Sequence, residues 1–308
     1  MKAIVTGGAG FIGSHLVEEL IIKGFEVHII DSMISGKQEN IHPLATLHVE
    51  DICSKQTKQI ILKEKPNIVF HLAAQADVSR SINDPQYDAD VNIKGTINIL
   101  EACRDASVDK IIFASTSAVY GELQKDLITE MDPTVPISYY GLSKLTAESY
   151  IRLFSRLYGL SYTILRYGNV YGPRQTPKGE GGVVAVFLDR LNKGTMLNIH
   201  GDGEQTRDFV YVKDIVLANI AAIDKGHQEV IHASTMQRTS VNRLLKELEK
   251  IHGSKINISH TEERPGDIKH SCLDSKKAHK LLEWHSQVSI FNGLTETYTF
   301  LKNNKSYL

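Results

Sequence analysis

The first half of the chain alternates short apolar runs with stretches of helical spacing. Ala3–Thr6, Val27–Asp31, Asn67–Leu72, Lys110–Ser115 and Tyr162–Arg166 are β-branched runs bounded by turn or polar residues, the pattern of buried strands. Between the first two, Ile12, Leu16 and Leu20 recur every four residues with Val17 and Ile21 beside them, which makes one apolar helix face. Strand and helix alternating at this spacing predict right-handed crossovers and a doubly wound, mostly parallel sheet covered on both faces. After about residue 167 the rhythm changes. Glycine, proline and charge crowd Gly168–Gly182, predicting loops, and a strand at Phe209–Val212 with helices near Asp214–Asp224 and Val241–Ile251 follows. The pattern divides the α/β chain into residues 1–167, joined by part of 206–236, and a smaller mixed region over 168–308. No repeat or low-complexity linker separates them.

Composition narrows the class. With 308 residues, 42% apolar and 23% charged, the chain has the mixture of a globular protein with a substantial core. Lys+Arg 35 against Asp+Glu 36 leaves a net charge of −1, so charge recommends neither nucleic acid nor an anionic membrane as partner. No apolar run approaches the ~18 residues of a membrane span. The stretch Met1–Gly7 turns into glycines too soon for a secretory signal. Cys53, Cys103 and Cys272 cannot all pair with one another and lack metal-ligand spacing, which suits reduced thiols in the cytoplasm. The thirteen histidines form no H-x-x-H or H-E-x-x-H cluster, so no metal is expected.

Gly7, Gly10 and Gly13 follow the first strand and open the first helix with G-x-x-G-x-x-G spacing. Glycine there permits the tight turn, the approach of backbone to a pyrophosphate and close helix–strand packing. The helix N-terminus offers free N–H groups and a partial positive charge to the phosphates. Asp31 ends the second strand eighteen residues beyond Gly13, where a carboxylate accepts the adenosine ribose hydroxyls and repels a 2′-phosphate. Asp51-Ile52, after the third apolar segment, would flank the adenine. The expected cofactor is NAD rather than NADP.

Tyr140-Gly-Leu-Ser-Lys144 places a phenol and an ammonium on one face of a helix. A free tyrosine, pKa about 10, is only roughly 0.1% phenolate at pH 7, and lowering that pKa to 7 needs ~4 kcal/mol of preferential phenolate stabilisation. Lys144 and a cationic nicotinamide are the available sources. The strand Lys110–Ser115 runs into Ser115-Thr116-Ser117 at the carboxyl edge, where parallel sheets bind ligands, and any of these three hydroxyls could bond the same substrate oxygen.

Gly7-Gly-Ala-Gly-Phe-Ile-Gly13, Asp31, His71-Leu-Ala-Ala74, Asn92, Ser115-Thr-Ser-Ala-Val-Tyr-Gly121, Tyr140-x-x-x-Lys144 and Arg207-Asp208 together resemble the extended short-chain dehydrogenase/reductase family. Within its NAD-dependent epimerase/dehydratase group, the match is closest in pattern to bacterial UDP-glucose 4-epimerases and runs nearly end to end. The resemblance implies a Rossmann sheet with a smaller substrate-binding region, an NAD kept through turnover, Tyr140 as base, Lys144 as its electrostatic partner and Thr116 as the hydroxyl. It places Phe11, Ile12, Ser32, Gly36, Leu72, Ala73, Ala74, Gln75, Asn92, Ser115 and Tyr167 around the cofactor. On the sugar-nucleotide side it implies Asn169 of Asn-Val-Tyr-Gly-Pro-Arg174, Arg207, Arg264 and Asp267 as contacts to the nucleoside diphosphate, with Ser117, Val183, Val184, Leu197, Ile199 and Ser271 nearby. Arginine suits that role because its planar fork donates two parallel hydrogen bonds. A homodimer built on the Tyr140 helix and its neighbour is implied as well.

The reaction follows by what is missing. Dehydratases of the family carry an Asp-Glu pair directly after the Thr, and related decarboxylases carry Glu at the second of those positions. Here Ser117-Ala118 stand there. The remaining outcome is oxidation at C4 of a UDP-hexose, rotation of the ketone and return of hydride to its other face. Another UDP-sugar such as the glucuronate, or an NAD-binding regulator without catalysis, are the alternatives. Ser271, in place of a bulkier residue, is expected to leave room for an N-acetyl group.

Overall fold

The computed structural model describes residues 1–177, 182–262 and 268–304. Its first half runs β1 (Lys2–Thr6), α1 (Phe11–Ile22), β2 (Glu26–Asp31), β3 (Thr46–Val49), α2 (Lys55–Glu64) and β4 (Ile68–His71). Two short helices, α3 (Val78–Asn83) and α4 (Pro85–Ala89), lead through a π-helical turn at Asp90–Lys94 into α5 (Gly95–Asp105). Strand β5 (Lys110–Thr116), helix α6 (Tyr139–Tyr158) and strand β6 (Ser161–Tyr167) complete it. The remainder contributes β7 (Asn169–Tyr171), α7 (Val183–Asn192), β8 (Leu197–His200), β9 (Thr206–Arg207), β10 (Phe209–Tyr211) and α8 (Val212–Ala221). It ends with β11 (Glu229–Ala233), β12 (Thr239–Ser240), α9 (Val241–His252), β13 (Ile258–Thr261), α10 (Lys276–Leu282) and α11 (Ile290–Asn303).

Seven strands form one sheet in the order β11-β6-β5-β4-β1-β2-β3, with every pairing parallel. Alternation along each strand sends neighbours to opposite faces. Ala3 and Val5 pack with Leu16, Val17 and Leu20 of α1 and with Ile215 of α8, while Ile4 packs with Ile99 and Leu100 of α5 and Ile151 of α6. A third cluster, around Phe187, Leu197, Leu244 and Leu294, is the core of the C-terminal region. The order in which successive strands are added reverses between β1 and β4, and such a switch point opens a crevice at the carboxyl ends of the strands.

All five strands expected in the first half are present. In the sequence, edge strand β3 reads only as a short apolar segment before Asp51 and not as a strand, because Thr46–Val49 is largely unburied and mixes polar with apolar positions. Gly168–Gly182 is not all loop: Asn169–Tyr171 is a strand paired with Phe209–Tyr211, a partner forty residues away. The strand expected over Phe209–Val212 stops at Tyr211, which caps α8 in extended conformation. Among the described residues, no helix is long and apolar enough to cross a membrane.

Candidate active site

A cleft of about 650 Å³ lies along the carboxyl edge of the sheet, between it and the C-terminal region. One wall is the β1–α1 turn. Gly7 has φ +71, and a Cβ there would come within 2.9 Å of the Ala73 amide nitrogen, so the loop after β4 packs against bare backbone. A Cβ on Gly13 would fall on the Gly7 carbonyl, so helix and turn pack as closely as they do only because both are glycine. Gly10 caps α1 with no side-chain hydrogen bond, leaving the first-turn N–H groups to face the cleft. Phe11 and Ile12 complete this wall. A cradle that side chains would fill, over an uncapped helix N-terminus, fits a dinucleotide pyrophosphate.

At the tip of β2, Asp31 is nearly buried. Its Oδ2 accepts from Ala9 N–H at 3.0 Å and its Oδ1 from Met33 N–H at 2.9 Å. Burial raises its pKa, and these two bonds work against the rise. Ser32, Asp51, Ile52, Leu72, Ala73, Ala74, Gln75, Ser115 and Tyr167 line the same cleft. Gly36 and Asn92 do not. Gly36 presses its backbone on Asp31, where a Cβ would lie 2.6 Å from Oδ1. Asn92, on the π-helical turn, accepts from Gln75 N–H at 2.9 Å and donates to Gln75 O at 2.9 Å and Ser143 Oγ at 3.0 Å. It clamps the loop after β4 to α6 instead of facing the cleft, a use of a π-turn found at functional sites.

Thr116, Tyr140 and Lys144 all line the cleft. Ser138 caps α6 by accepting from Gly141 N–H at 3.1 Å, which sets Tyr140 in the first turn. Lys144 is 3% exposed and its ammonium lies 4.1 Å from the centre of the Phe113 ring. Beneath it, fully buried His71 bonds Thr6 Oγ1 at 2.8 Å and Thr96 Oγ1 at 3.0 Å. Burial first, then the Lys144 charge, push its pKa down to about 3, so it is neutral. The three neighbouring hydroxyls separate: Ser115 is buried and donates to Glu148 Oε1 at 2.6 Å, and Ser117 enters a 3₁₀ turn off the cleft wall. Thr116 accepts from Ala118 N–H at 3.1 Å, which leaves its own O–H to donate.

Asn169, Val183, Val184, Ile199 and Arg207 form the opposite wall. Arg207 is anchored through its neighbour Asp208, buried and accepting from Thr235 N–H at 2.8 Å, Thr235 Oγ1 at 2.6 Å and Met236 N–H at 3.1 Å. Leu197 is enclosed in the C-terminal core and Ser271 is off the wall, so neither expectation of cleft contact holds for them. Asn198 and His200 of β8 line the cleft beside Ile199, and neither was among the expected residues. Arg264 and Asp267 lie outside the described residues. Arg174, Gln175, Arg80 and Tyr87 also line the cleft, the last two stacked with the guanidinium 4.0 Å from the ring centre. At the far end of β2 the fold gathers Glu26, His28 and Glu64, a group invisible in the spacing. Lys2 Nζ lies 3.0 Å from one of its carboxylates and 2.9 Å from the other.

Comparison with known proteins agrees with this geometry. A UDP-glucose 4-epimerase of Mycolicibacterium smegmatis is 37% identical over 310 residues, covering 98% of this chain and 99% of the relative. The structure of a UDP-glucose 4-epimerase from Thermotoga maritima with UDP-glucose superposes with TM-score 0.96 at 44% identity, over 99% of this chain and 100% of that one. The Thermus thermophilus UDP-glucose 4-epimerase in complex with NAD superposes with TM-score 0.93 at 37% identity, over 98% and 99%. Residues 3–233 match the profile of one family, and with these likenesses the chain belongs to the NAD-dependent epimerase/dehydratase family.

Proposed function

We propose that the protein inverts C4 of a UDP-hexose, interconverting UDP-glucose and UDP-galactose through a transient 4-keto sugar. The observation that carries this reading is that Thr116, Tyr140 and Lys144 line the same cleft as the glycine turn and Asp31. Residues 1–167 hold NAD, and residues 168–308 mainly hold the sugar nucleotide. Tyr140, as phenolate, takes the proton of the C4 hydroxyl and later returns it. Lys144 stabilises that phenolate by its charge, and Thr116 donates to the same sugar oxygen. When bound, NAD supplies the acceptor and donor of the C4 hydride. Ser117 and Ala118 offer no acid or base for expelling water, which supports epimerisation over dehydration. Arg207 and Asn169, with Arg264 and Asp267, contact the nucleoside diphosphate, the arginines suiting its phosphates.

The protein works in the cytoplasm, a reading supported by three free cysteines. It works as a homodimer. An exposed apolar stripe of Leu142, Leu153 and Leu157 on α6, continued by Val78 and Ile82 on the adjoining α3, supports that assembly. Light scattering should return twice the 34.4 kDa chain mass. The deciding experiment incubates the protein separately with UDP-glucose, UDP-N-acetylglucosamine and UDP-glucuronate, and analyses the sugars after hydrolysis. Galactose from the first is expected. Conversion of the glucuronate alone would replace the substrate, and no conversion of any would sink the activity. Ser271 is not among the residues that line the cleft, and the second sugar tests the expected room for an N-acetyl group directly.

A further inference from the structure

Helix α6 carries Tyr140, Lys144 and Glu148 at four-residue steps, so their side chains leave one face of the helix. Glu148 is fully buried and takes no part in the chemistry derived above. Its carboxylate instead joins two strands, and Arg166 extends the hydrogen-bond chain to a third. Ser115 of β5 donates to Oε1 at 2.6 Å, and Arg166 of β6 grips the carboxylate with Nε to Oε1 at 2.9 Å and Nη2 to Oε2 at 2.6 Å. Arg166 Nη1 donates to the Tyr120 hydroxyl at 2.6 Å, which lies 2.5 Å from His232 Nε2 on β11. All five side chains are buried. A buried ion pair is weak evidence for stability, because desolvation consumes much of what the attraction gives. Its geometry is the more informative property.

We propose that Glu148 is a positioning residue: by holding Ser115, it fixes the strand end that carries Thr116 against the helix that carries Tyr140. The proposal rests on the catalytic reading given above. Ser115 and Thr116 are consecutive in β5, so alternation points one toward α6 and the other away from it. Locking the first therefore sets the second. Near its N-terminus α6 is held a second way, since a Cβ on Gly141 would lie 2.5 Å from Ala118 O and the helix rests on the turn after β5. Gly141 and Glu148 are seven residues apart on the helix, about 10 Å along its axis. Two attachments at that separation suppress tilting of α6, which would change the gap between the Tyr140 and Thr116 oxygens. Both must reach one substrate oxygen, and displacement by 1 Å costs on the order of 10²-fold in rate.

The test compares wild type, Ser115→Ala, Glu148→Gln, the double variant and Tyr140→Phe by kcat per NAD-loaded site and by KM. Ser115→Ala should lower kcat about tenfold, with KM changed by less than about twofold and NAD content retained. A merely structural role would lower yield or Tm and leave kcat per loaded site intact. Glu148→Gln should lose at least as much, and the double variant no more than Glu148→Gln alone, because both break one contact. Should Glu148→Gln fail to fold, Ser115→Ala carries the test. Unchanged kcat in Ser115→Ala overturns the positioning role while leaving the base in place. Activity retained by Tyr140→Phe overturns the catalytic reading, and the positioning role with it.

Discussion

At the scale of single residues, charge and hydroxyl placement decide cofactor and chemistry. Asp31 is gripped by two backbone N–H groups, so its carboxylate cannot swing away from a 2′-phosphate brought against it. Two like charges 4 Å apart repel by about 4 kcal/mol at an effective dielectric of 20, ample for strong discrimination. Asp31→Asn keeps the shape and removes the charge, and it should narrow the preference for NAD over NADP by at least about tenfold. Fluorescence titration with both cofactors checks this. An unchanged ratio would mean that another group excludes the phosphate. Asp31 was legible because its meaning comes from distance along the chain to the glycine turn. The identity of the hydroxyl was not legible: Ser115, Thr116 and Ser117 differ only in what lies opposite them. That is Glu148, thirty-three residues from Ser115, for the first and a local turn for the last.

Elements couple the two halves of the cleft. The loop after β7 docks on α1 directly behind the glycine turn. Arg174, held at φ +72, donates from Nη1 to Ser14 Oγ at 3.1 Å and pairs with Glu18, while His15 Nε2 lies 3.0 Å from Pro173 O. A non-glycine residue in left-handed backbone persists only where its surroundings impose it. Arg174 lines the cleft, so the latch ties the wall opposite the sheet to helix α1 behind the glycine turn. Arg174→Ala should therefore release bound NAD several-fold faster and leave the sheet intact, read as NAD content after dialysis beside the circular dichroism spectrum. Equal retention would remove any role of the latch in holding cofactor. The doubly wound half was readable because strand and helix periods are local properties of the sequence. The latch and β7 were not, because a three-residue strand and an Arg–Glu pair 156 residues apart take their meaning from contacts the chain makes only once folded.

For the molecule as a whole, buried histidines set the response to acid. His15, half-enclosed between α1 and the loop it holds, has its pKa lowered to about 4, by burial first. His71 beneath the catalytic group and His232 behind Tyr120 are lowered to about 3, again chiefly by burial. Each is neutral in the fold, while in the unfolded chain it takes a proton near pH 6.5. The unfolded state therefore binds more protons below that pH, and stability falls as pH drops from 6.5 toward 4. At pH 5 each of the three costs about 2 kcal/mol relative to neutral pH. Asp31, Glu130, Asp208 and Asp214, with pKa values raised by burial, act in the opposite sense, since the folded protein protonates them first as pH falls. Their offset begins where the folded protein starts to protonate them, so the slope from pH 7 to 5 is the histidine loss less this gain. The three histidines together cost about 6 kcal/mol, and at roughly 2.1 cal/mol/K per residue each 2 kcal/mol corresponds to about 3 °C in a chain of 308 residues. Tm should accordingly fall by about 5 °C or more between pH 7 and pH 5, followed by scanning fluorimetry at constant ionic strength. His15→Gln, which keeps a donor for Pro173 O and cannot titrate, should flatten part of that slope. A Tm that holds level to pH 5 would mean that the three rings are not held neutral by the fold, or that the carboxylates compensate them fully.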